Sequence, residues 1–295
     1  MIPLKYFSIF SGIGGFEYGI QCACNKQFTE IKQDREGRNR ITNEMESNVL
    51  PSSRAAALCI GFSEIDKYAI QIYQKHFKEH KNYGDAKRII PEELPDFGLL
   101  VGGFPCQSFS IAGKRGGFKD TRGTLFFDIA RIVKVKRPGL VCLENVKGLL
   151  SHDKGNTFAT ILSTLDELGY DCQWSVLNSK NFGVPQNRER VFIIGHLRGT
   201  SRPEVFPIAQ SSEQGLRPSE PDTRPEGDKS DSINTIRRTP LTDNMRIRRL
   251  TPTECERLQG FPDGWTEGIS DTQRYKCLGN AVTVNVIEAI MRRLL

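Results

Sequence analysis

One thiol, one carboxylate and two guanidinium groups stand where apolar runs of this chain meet polar residues. Cys106 follows Gly102-Gly-Phe-Pro105 at the end of the run Phe97-Gly-Leu-Leu-Val101. A strand that stops this way in an open α/β sheet presents its next side chains at the carboxyl edge, where such folds bind ligands. A thiol there is placed for nucleophilic chemistry. Cysteine is also a common buried filler, and Cys59 in Ala57-Leu-Cys-Ile60 and Cys142 in Leu140-Val-Cys-Leu143 read that way. Cys106 differs in its surroundings: a stiff proline precedes it, and Gln107-Ser-Phe-Ser-Ile-Ala-Gly-Lys-Arg-Gly-Gly-Phe118 follows. That stretch is too polar and glycine-rich for a packed core. Glu144 opens Glu144-Asn-Val146 at the end of a second run, and Arg188 and Arg190 belong to Gln186-Asn-Arg-Glu-Arg190 ahead of a third. Parallel strands gather their carboxyl ends along one edge, so Cys106 and Glu144 can meet there. Arg190 precedes its strand, and the pattern alone does not bring it to that edge.

The elements that must position these groups read as strand, turn and helix, repeated. Tyr6-Phe-Ser-Ile-Phe10 leads into Ser11-Gly-Ile-Gly-Gly-Phe16 and a helical pattern from Glu17. This glycine-rich turn lets a nucleotide-like ligand approach a helix N-terminus, although it departs from Gly-x-Gly-x-x-Gly and glycines in such turns often serve only backbone geometry. A second strand, Ala57 to Ser63, ends in Glu64, and Asp66 caps the helical pattern that runs to Phe77. An acid at the tip of the second strand is where dinucleotide folds hold ribose hydroxyls; capping the helix or facing water is the competing reading of Glu64. Further strands are expected at 97–101, 139–143, 170–177 and 190–197, with helices over 125–133 and 157–168 between them. The alternation predicts an α/β fold, a Rossmann-like, mostly parallel sheet with helices on both faces. Residues 21–54 read as a polar surface excursion, 201–244 as a polar interval with sparse apolar anchors, 249–262 as a helix capped near Thr251, and 279–294 as a helical pattern with one apolar face.

With 295 residues, the chain has room for one large α/β domain and a smaller companion. Eight cysteines, no leader ahead of Lys5 and no long apolar span fit a reducing cytosol. Cys22-Ala-Cys24 lacks a second pair at metal spacing, so no metal site is expected. A net charge of +6 modestly favours a polyanionic partner and decides little alone.

Taken in order, Phe10-Ser-Gly-Ile-Gly-Gly-Phe16, Gly103-Phe-Pro-Cys-Gln107, Arg122-Gly-Thr-Leu-Phe-Phe127, Glu144-Asn-Val146, Gln186-Asn-Arg-Glu-Arg190 and Gly279-Asn-Ala-Val282 resemble the motif set of the DNA (cytosine-5)-methyltransferases. The likeness is to the bacterial restriction-modification type, and it spans residues 5–197 and 247–293. The resemblance implies an S-adenosylmethionine-dependent methyltransferase fold that yields S-adenosylhomocysteine and 5-methylcytosine without a metal. It assigns the nucleophile to Cys106, contacts to cytosine N3 and its amine to Glu144, and the O2 contact to Arg190 with Arg188 in support. By the same matching, Phe10, Gly12, Ile13, Gly15, Glu64, Ile65, Asp85, Ala86, Pro105, Leu125, Asn280 and Val282 surround the cofactor. Ile65 stands where some relatives carry an aromatic residue beside the adenine.

The implied partner is double-stranded DNA, with the target base flipped out of the stack, and a cognate restriction endonuclease is a possible companion. Gln107, Ser110, Lys114, Arg115, Lys119 and Arg122 fall in the loop that closes over DNA in this family. The implied organisation is a catalytic and cofactor domain over 1–197, a small recognition region over 198–265 and a C-terminal segment, 266–295, returning to the first domain. The recognition interval is short and polar for this family. A cytoplasmic, nucleoid-associated protein without membrane contact follows. Two other readings stay open from the sequence: a related enzyme acting on tRNA, and a weakly active or inert DNA-binding relative.

Overall fold

The computed structural model describes residues 3–25, 32–33, 39–40, 57–105, 125–200, 203–208 and 249–295. Its centre is a six-stranded sheet built from β1 (Leu4–Ile9), β4 (Ala57–Ser63), β5 (Leu99–Gly103), β6 (Leu140–Val146), β7 (Tyr170–Asn178) and β8 (Glu189–Leu197), in the order β4-β1-β5-β6-β8-β7. A separate two-residue ladder joins β2 (Lys32–Gln33) to β3 (Asn39–Arg40). Strands β4, β1, β5 and β6 are mutually parallel, β8 runs against β6, and β7 runs against β8. The sheet is therefore mostly parallel, as the alternation predicts, with one reversed strand.

Successive side chains of the central strands enter opposite cores, the consequence of the two-residue strand period. Phe7, Leu100, Val141 and Ile193 join Phe126, Ile129 and Val133 of α3 (Leu125–Lys136) and Ile161 and Leu165 of α4 (Asn156–Glu167). Their neighbours Tyr6, Leu99, Cys142 and Ile194 face the other way, onto Phe16 and Ile20 of α1 (Gly15–Asn25) and Val286, Ile287 and Ile290 of α7 (Val284–Leu294). Both faces are covered, which is why these strands read as unbroken apolar runs.

Helix α7 lies directly on α1. A Cβ added at Gly19 would stand 2.6 Å from Ile287 Cβ, so only glycine permits the approach. A third cluster joins Ile13, with Ala69 and Ile72 of α2 (Lys67–His76), to Phe261, Trp265, Leu278 and Val284. Helix α5 (Pro252–Leu258) starts at Thr251 with a reciprocal capping box to Glu254, the start expected from the sequence. The C-terminal pattern expected to be helical over 279–294 is divided: α6 (Asp271–Asn280) ends, Ala281 is extended, and α7 begins at Val284. Residues 203–208 pack on the sheet, with Val205 fully buried and its N–H donating to Gln173 Oε1 at 3.1 Å. No described helix is long and apolar enough to cross a membrane.

Candidate active site

A cavity of about 730 Å³ opens over the carboxyl ends of β1, β4, β5 and β6. Thirteen of the residues expected around a cofactor or a cytosine line it: Phe10, Gly12, Ile13, Glu64, Ile65, Asp85, Ala86, Pro105, Leu125, Asn280, Glu144, Arg188 and Arg190. Gly15 and Val282 do not. They pack against each other beneath it, where a Cβ on Gly15 would come within 2.8 Å of Val282 Cγ1. Cys106, Gln107, Ser110, Lys114, Arg115, Lys119 and Arg122 lie outside the described residues.

The turn after β1 is built for close approach. Phe10 adopts φ +55°, a left-handed conformation that residues with a side chain seldom take. Gly12 follows at φ +56°, and a Cβ there would meet nothing within 4 Å, so the space before the turn is open. Glu64 ties this turn to β4, because its Oε2 accepts from Gly12 N at 2.8 Å while its Oε1 accepts from Ile65 N and Asp66 N. Glu64 therefore lines the cavity and braces the lead-in to α2, while the cap of that helix is Asp66, which accepts from Tyr68 N and Ala69 N. Asn82 secures the same corner, its Oδ1 accepting from Glu64 N and Gly84 N. Asp85 caps a short 3₁₀ turn by accepting from Lys87 N at 3.0 Å. Ile65, 71% exposed, offers an apolar wall. An open glycine turn, the Glu64 carboxylate at the end of β4, the Asp85 carboxylate at the 3₁₀ turn and an apolar flank suit a polar, partly cationic nucleoside.

At the other end of the cavity, Glu144 and Arg190 form an ion pair of 3.0 Å, with 13% and 20% of their side chains exposed. Reversal of β8 brings them together: Arg190 stands opposite Val146 in the antiparallel register, so a residue at the start of its strand reaches the carboxyl edge of β6. Burial raises the proton affinity of the Glu144 carboxyl, opposed by the Arg190 and Arg188 cations. Gly103 lies opposite Glu144 in the parallel register, and a Cβ on it would approach Glu144 Oε2 to 2.9 Å. The strand that leads to Cys106 therefore leaves the sheet beside this carboxyl.

Arg188 clasps the C-terminal segment, its Nη2 donating to the carbonyls of Gly279 and Ala281 at 3.0 and 2.8 Å. Burial, together with the like charge of Arg190, lowers its pKa to about 10. Beside it, Ser179 Oγ meets Thr283 Oγ1 at 2.8 Å, and Thr283 donates to Gln259 Oε1.

Some contributors were not singled out by the sequence. Asn145 Nδ2 donates to Phe104 O at 2.8 Å, a buried bond that fixes the segment ahead of Cys106. Lys276 and Asp66 also line the cavity and pair at 2.8 Å across it. The Asn in Glu144-Asn-Val146 was visible as part of a motif, whereas nothing in the local sequence links Lys276 to Asp66.

The sequence profile of the C-5 cytosine-specific DNA methylases matches residues 4–238 and 204–295. The Type II methyltransferase M.NgoBI of Neisseria gonorrhoeae is 42% identical over 324 aligned positions, covering 97% of this chain and 91% of the relative. That alignment is longer than the chain, so the relative carries residues that this protein lacks. The Type II methyltransferase M1.ScrFI of Lactococcus lactis subsp. cremoris is 40% identical over 79% of this chain and 71% of its own. Among solved structures, Dnmt2 methyltransferase of S. pombe superposes with a TM-score of 0.66 at 19% identity, covering 99% of this chain and 98% of the other, a likeness of fold.

Proposed function

The chain belongs to the C-5 cytosine-specific DNA methylase family, and from that membership and the cavity's geometry we propose how its residues carry out methyl transfer to carbon 5 of cytosine in duplex DNA. Carbon 5 of cytosine is a poor nucleophile, so the ring must first gain electron density. The Cys106 thiolate adds to C6 and supplies it. Glu144, held mostly buried with its proton affinity raised, donates a hydrogen to N3 as negative charge builds on the ring. Arg190 orients Glu144 and donates to O2. Loss of the C5 proton then lets the C6–S bond break, returning the thiolate and the aromatic ring.

S-adenosylmethionine, when bound, supplies the electrophilic methyl group and leaves as S-adenosylhomocysteine. Phe10, Gly12, Ile13 and Asn280 would hold its methionyl part. Glu64 would take the ribose, and Asp85, Ala86, Ile65, Pro105 and Leu125 the adenine and its surroundings. Gly15 and Val282 act from behind, by setting how closely the C-terminal segment meets the turn. Flipping the cytosine out of the duplex costs roughly a few kcal/mol, which Gln107, Ser110, Lys114, Arg115, Lys119 and Arg122 would offset through phosphate and backbone contacts. The Type II designation of its relatives supports a modification enzyme working beside a restriction endonuclease that reads the same site.

The observation that carries this reading is the Glu144–Arg190 pair at 3.0 Å beside the β5 end that leads to Cys106. The test is incubation with labelled S-adenosylmethionine and mixed-sequence duplex DNA or tRNA, alongside Cys106→Ala, with 5-methylcytosine mapped at base resolution. Methylation within one DNA motif, absent in the variant, is the expected result, and scattered methylation would mean that the short recognition interval does not specify. Transfer to tRNA alone would overturn the substrate, and transfer by the variant would overturn the role of Cys106.

A further inference from the structure

Behind the β1 turn lies a buried polar chain that the proposed chemistry does not use. Glu17, in the first turn of α1, is 1% exposed. Its Oε1 accepts from Tyr73 Oη at 3.0 Å, the Ser8 hydroxyl lies beside the carboxylate and favours its charged form, and its Oε2 is buried without a hydrogen-bond partner. Ser11 Oγ donates in turn to Ser8 Oγ at 2.8 Å. On the far side, Tyr73 Oη lies 3.0 Å from Nδ1 of the half-buried His80. A run of buried polar groups thus leads from Ser11, between the cavity-lining Phe10 and Gly12, past Ser8 to Glu17, Tyr73 and His80.

The direction of the hydrogens in this run depends on one group. With Glu17 ionised, every donor points toward it: Ser11 to Ser8, Ser8 to the carboxylate, Tyr73 to the carboxylate, and His80 Nδ1–H to Tyr73. With Glu17 protonated, its hydrogen must either sit on the partnerless Oε2 or reverse one arm, toward Tyr73 and His80 or toward the serines and the turn. A buried donor without an acceptor is costly, so the charge on Glu17 is coupled to the hydroxyl that flanks Gly12. From this geometry we infer that Glu17 is a positioning residue for the cofactor turn, and that its carboxylate form is the one that binds a cationic ligand in the cavity.

The inference rests on the S-adenosylmethionine reading above and adds a regulation to it. A cation before the turn favours the carboxylate, and by linkage the carboxylate favours the cation. Burial lifts the Glu17 pKa to about 7 against the opposing hydrogen bonds from Ser8 and Tyr73, so the switch falls in the neutral range. The other titratable groups packed around it are Tyr6, Cys59, Tyr73 and His80, with Cys24 beyond Tyr6. Burial holds Tyr6, Cys59 and Tyr73 uncharged throughout that range, and burial lowers the His80 pKa from its ordinary value.

The test is calorimetric titration of the full chain with S-adenosylmethionine, without DNA, from about pH 6 to about pH 8, beside Glu17→Gln and Tyr73→Phe. For a group titrating at about 7, wild-type affinity should rise about tenfold from the acid to the alkaline end. Glu17→Gln should bind weakly with that rise abolished. Tyr73→Phe, which removes a hydrogen bond to the carboxylate, should move the midpoint to higher pH. A flat wild-type profile, or a Glu17→Gln profile that keeps the wild-type rise, overturns the inference. Failure of the folded wild type to bind S-adenosylmethionine at any pH overturns the cofactor reading itself and this inference with it.

Discussion

Replacing Glu144 by glutamine removes the ionisable carboxyl and keeps its size. A glutamine Oε1 can still accept from Arg190 Nε, 3.0 Å away in the native pair. Arg190 also keeps its second anchor, Nη1 donating to Glu189 O at 2.8 Å. Breaking a buried ion pair outright costs about 3–5 kcal/mol, and with both hydrogen bonds retained the stability loss should fall below that range. The rate is a different matter. Burial raises the proton affinity of the Glu144 carboxyl against two neighbouring cations, which favours the proton delivery toward N3 that the proposed chemistry asks of it. Loss of a positioned general acid lowers rates by about 10²–10⁴, equivalent to about 3–5 kcal/mol on the barrier. Single-turnover transfer of a labelled methyl group to a duplex, at saturating enzyme and cofactor, reads this step apart from product release. Calorimetry with S-adenosylmethionine should show unchanged cofactor affinity, because Glu144 stands at the opposite end of the cavity from Glu64. A folded, cofactor-binding Glu144→Gln protein that loses less than about tenfold in single-turnover rate would refute the assignment.

Three further expectations follow from the packing and the charges. Gly19→Val places carbon where a Cβ already meets Ile287 at 2.6 Å, so α7 must move off α1; thermal unfolding should register a loss of about 1–3 kcal/mol or more, with weakened S-adenosylmethionine binding. Asn145→Ala removes the buried 2.8 Å bond to the Phe104 carbonyl, at a cost of about 0.5–1.5 kcal/mol, and should slow methyl transfer more than it weakens cofactor affinity, as separate kcat and KM measurements will show. Glu17 has a folded-state pKa of about 7 against an ordinary value of 4.5, so the folded protein holds the extra proton between those values and stability falls as pH rises through that window. The decline attributable to this group is roughly 3 kcal/mol, and urea unfolding at about pH 5 and about pH 8 should show it in the wild type and not in Glu17→Gln.

How much of this was legible beforehand depended on whether a feature is periodic or relational. All six strands of the main sheet and most of the helices announce themselves, because a strand buried on both faces leaves an apolar run and a surface helix leaves a stripe. The apolar run ends at Val101, and Gly102 and Gly103 read as a stop. They continue β5 instead, because a Cβ on Gly102 would fall 2.4 Å from Ile9 O and one on Gly103 would crowd Glu144. Helix α6 leaves no stripe in the sequence: of its ten residues only Cys277 and Leu278 are buried.

Direction is the property a buried strand's sequence does not carry. The run 190–197 has the same composition read either way, so the sequence left Arg190 at the wrong end of its strand, and only the antiparallel register brings it opposite Val146 and into contact with Glu144. The same holds for the Glu17 run. Ser8, Glu17, Tyr73 and His80 are ordinary residues on two helices, a strand and a loop until the fold converges them. The Glu144 carboxyl and the one behind the turn then share a physical origin, since burial raises the proton affinity of both. They differ in what opposes it: two arginines for Glu144, and neutral hydroxyls with a backbone N–H for Glu17. Neutral partners leave a buried carboxyl free to titrate near neutrality, whereas cationic partners anchor it in place. That difference is why Glu144 suits a proton donor held against the substrate, and Glu17 a group whose charge follows pH.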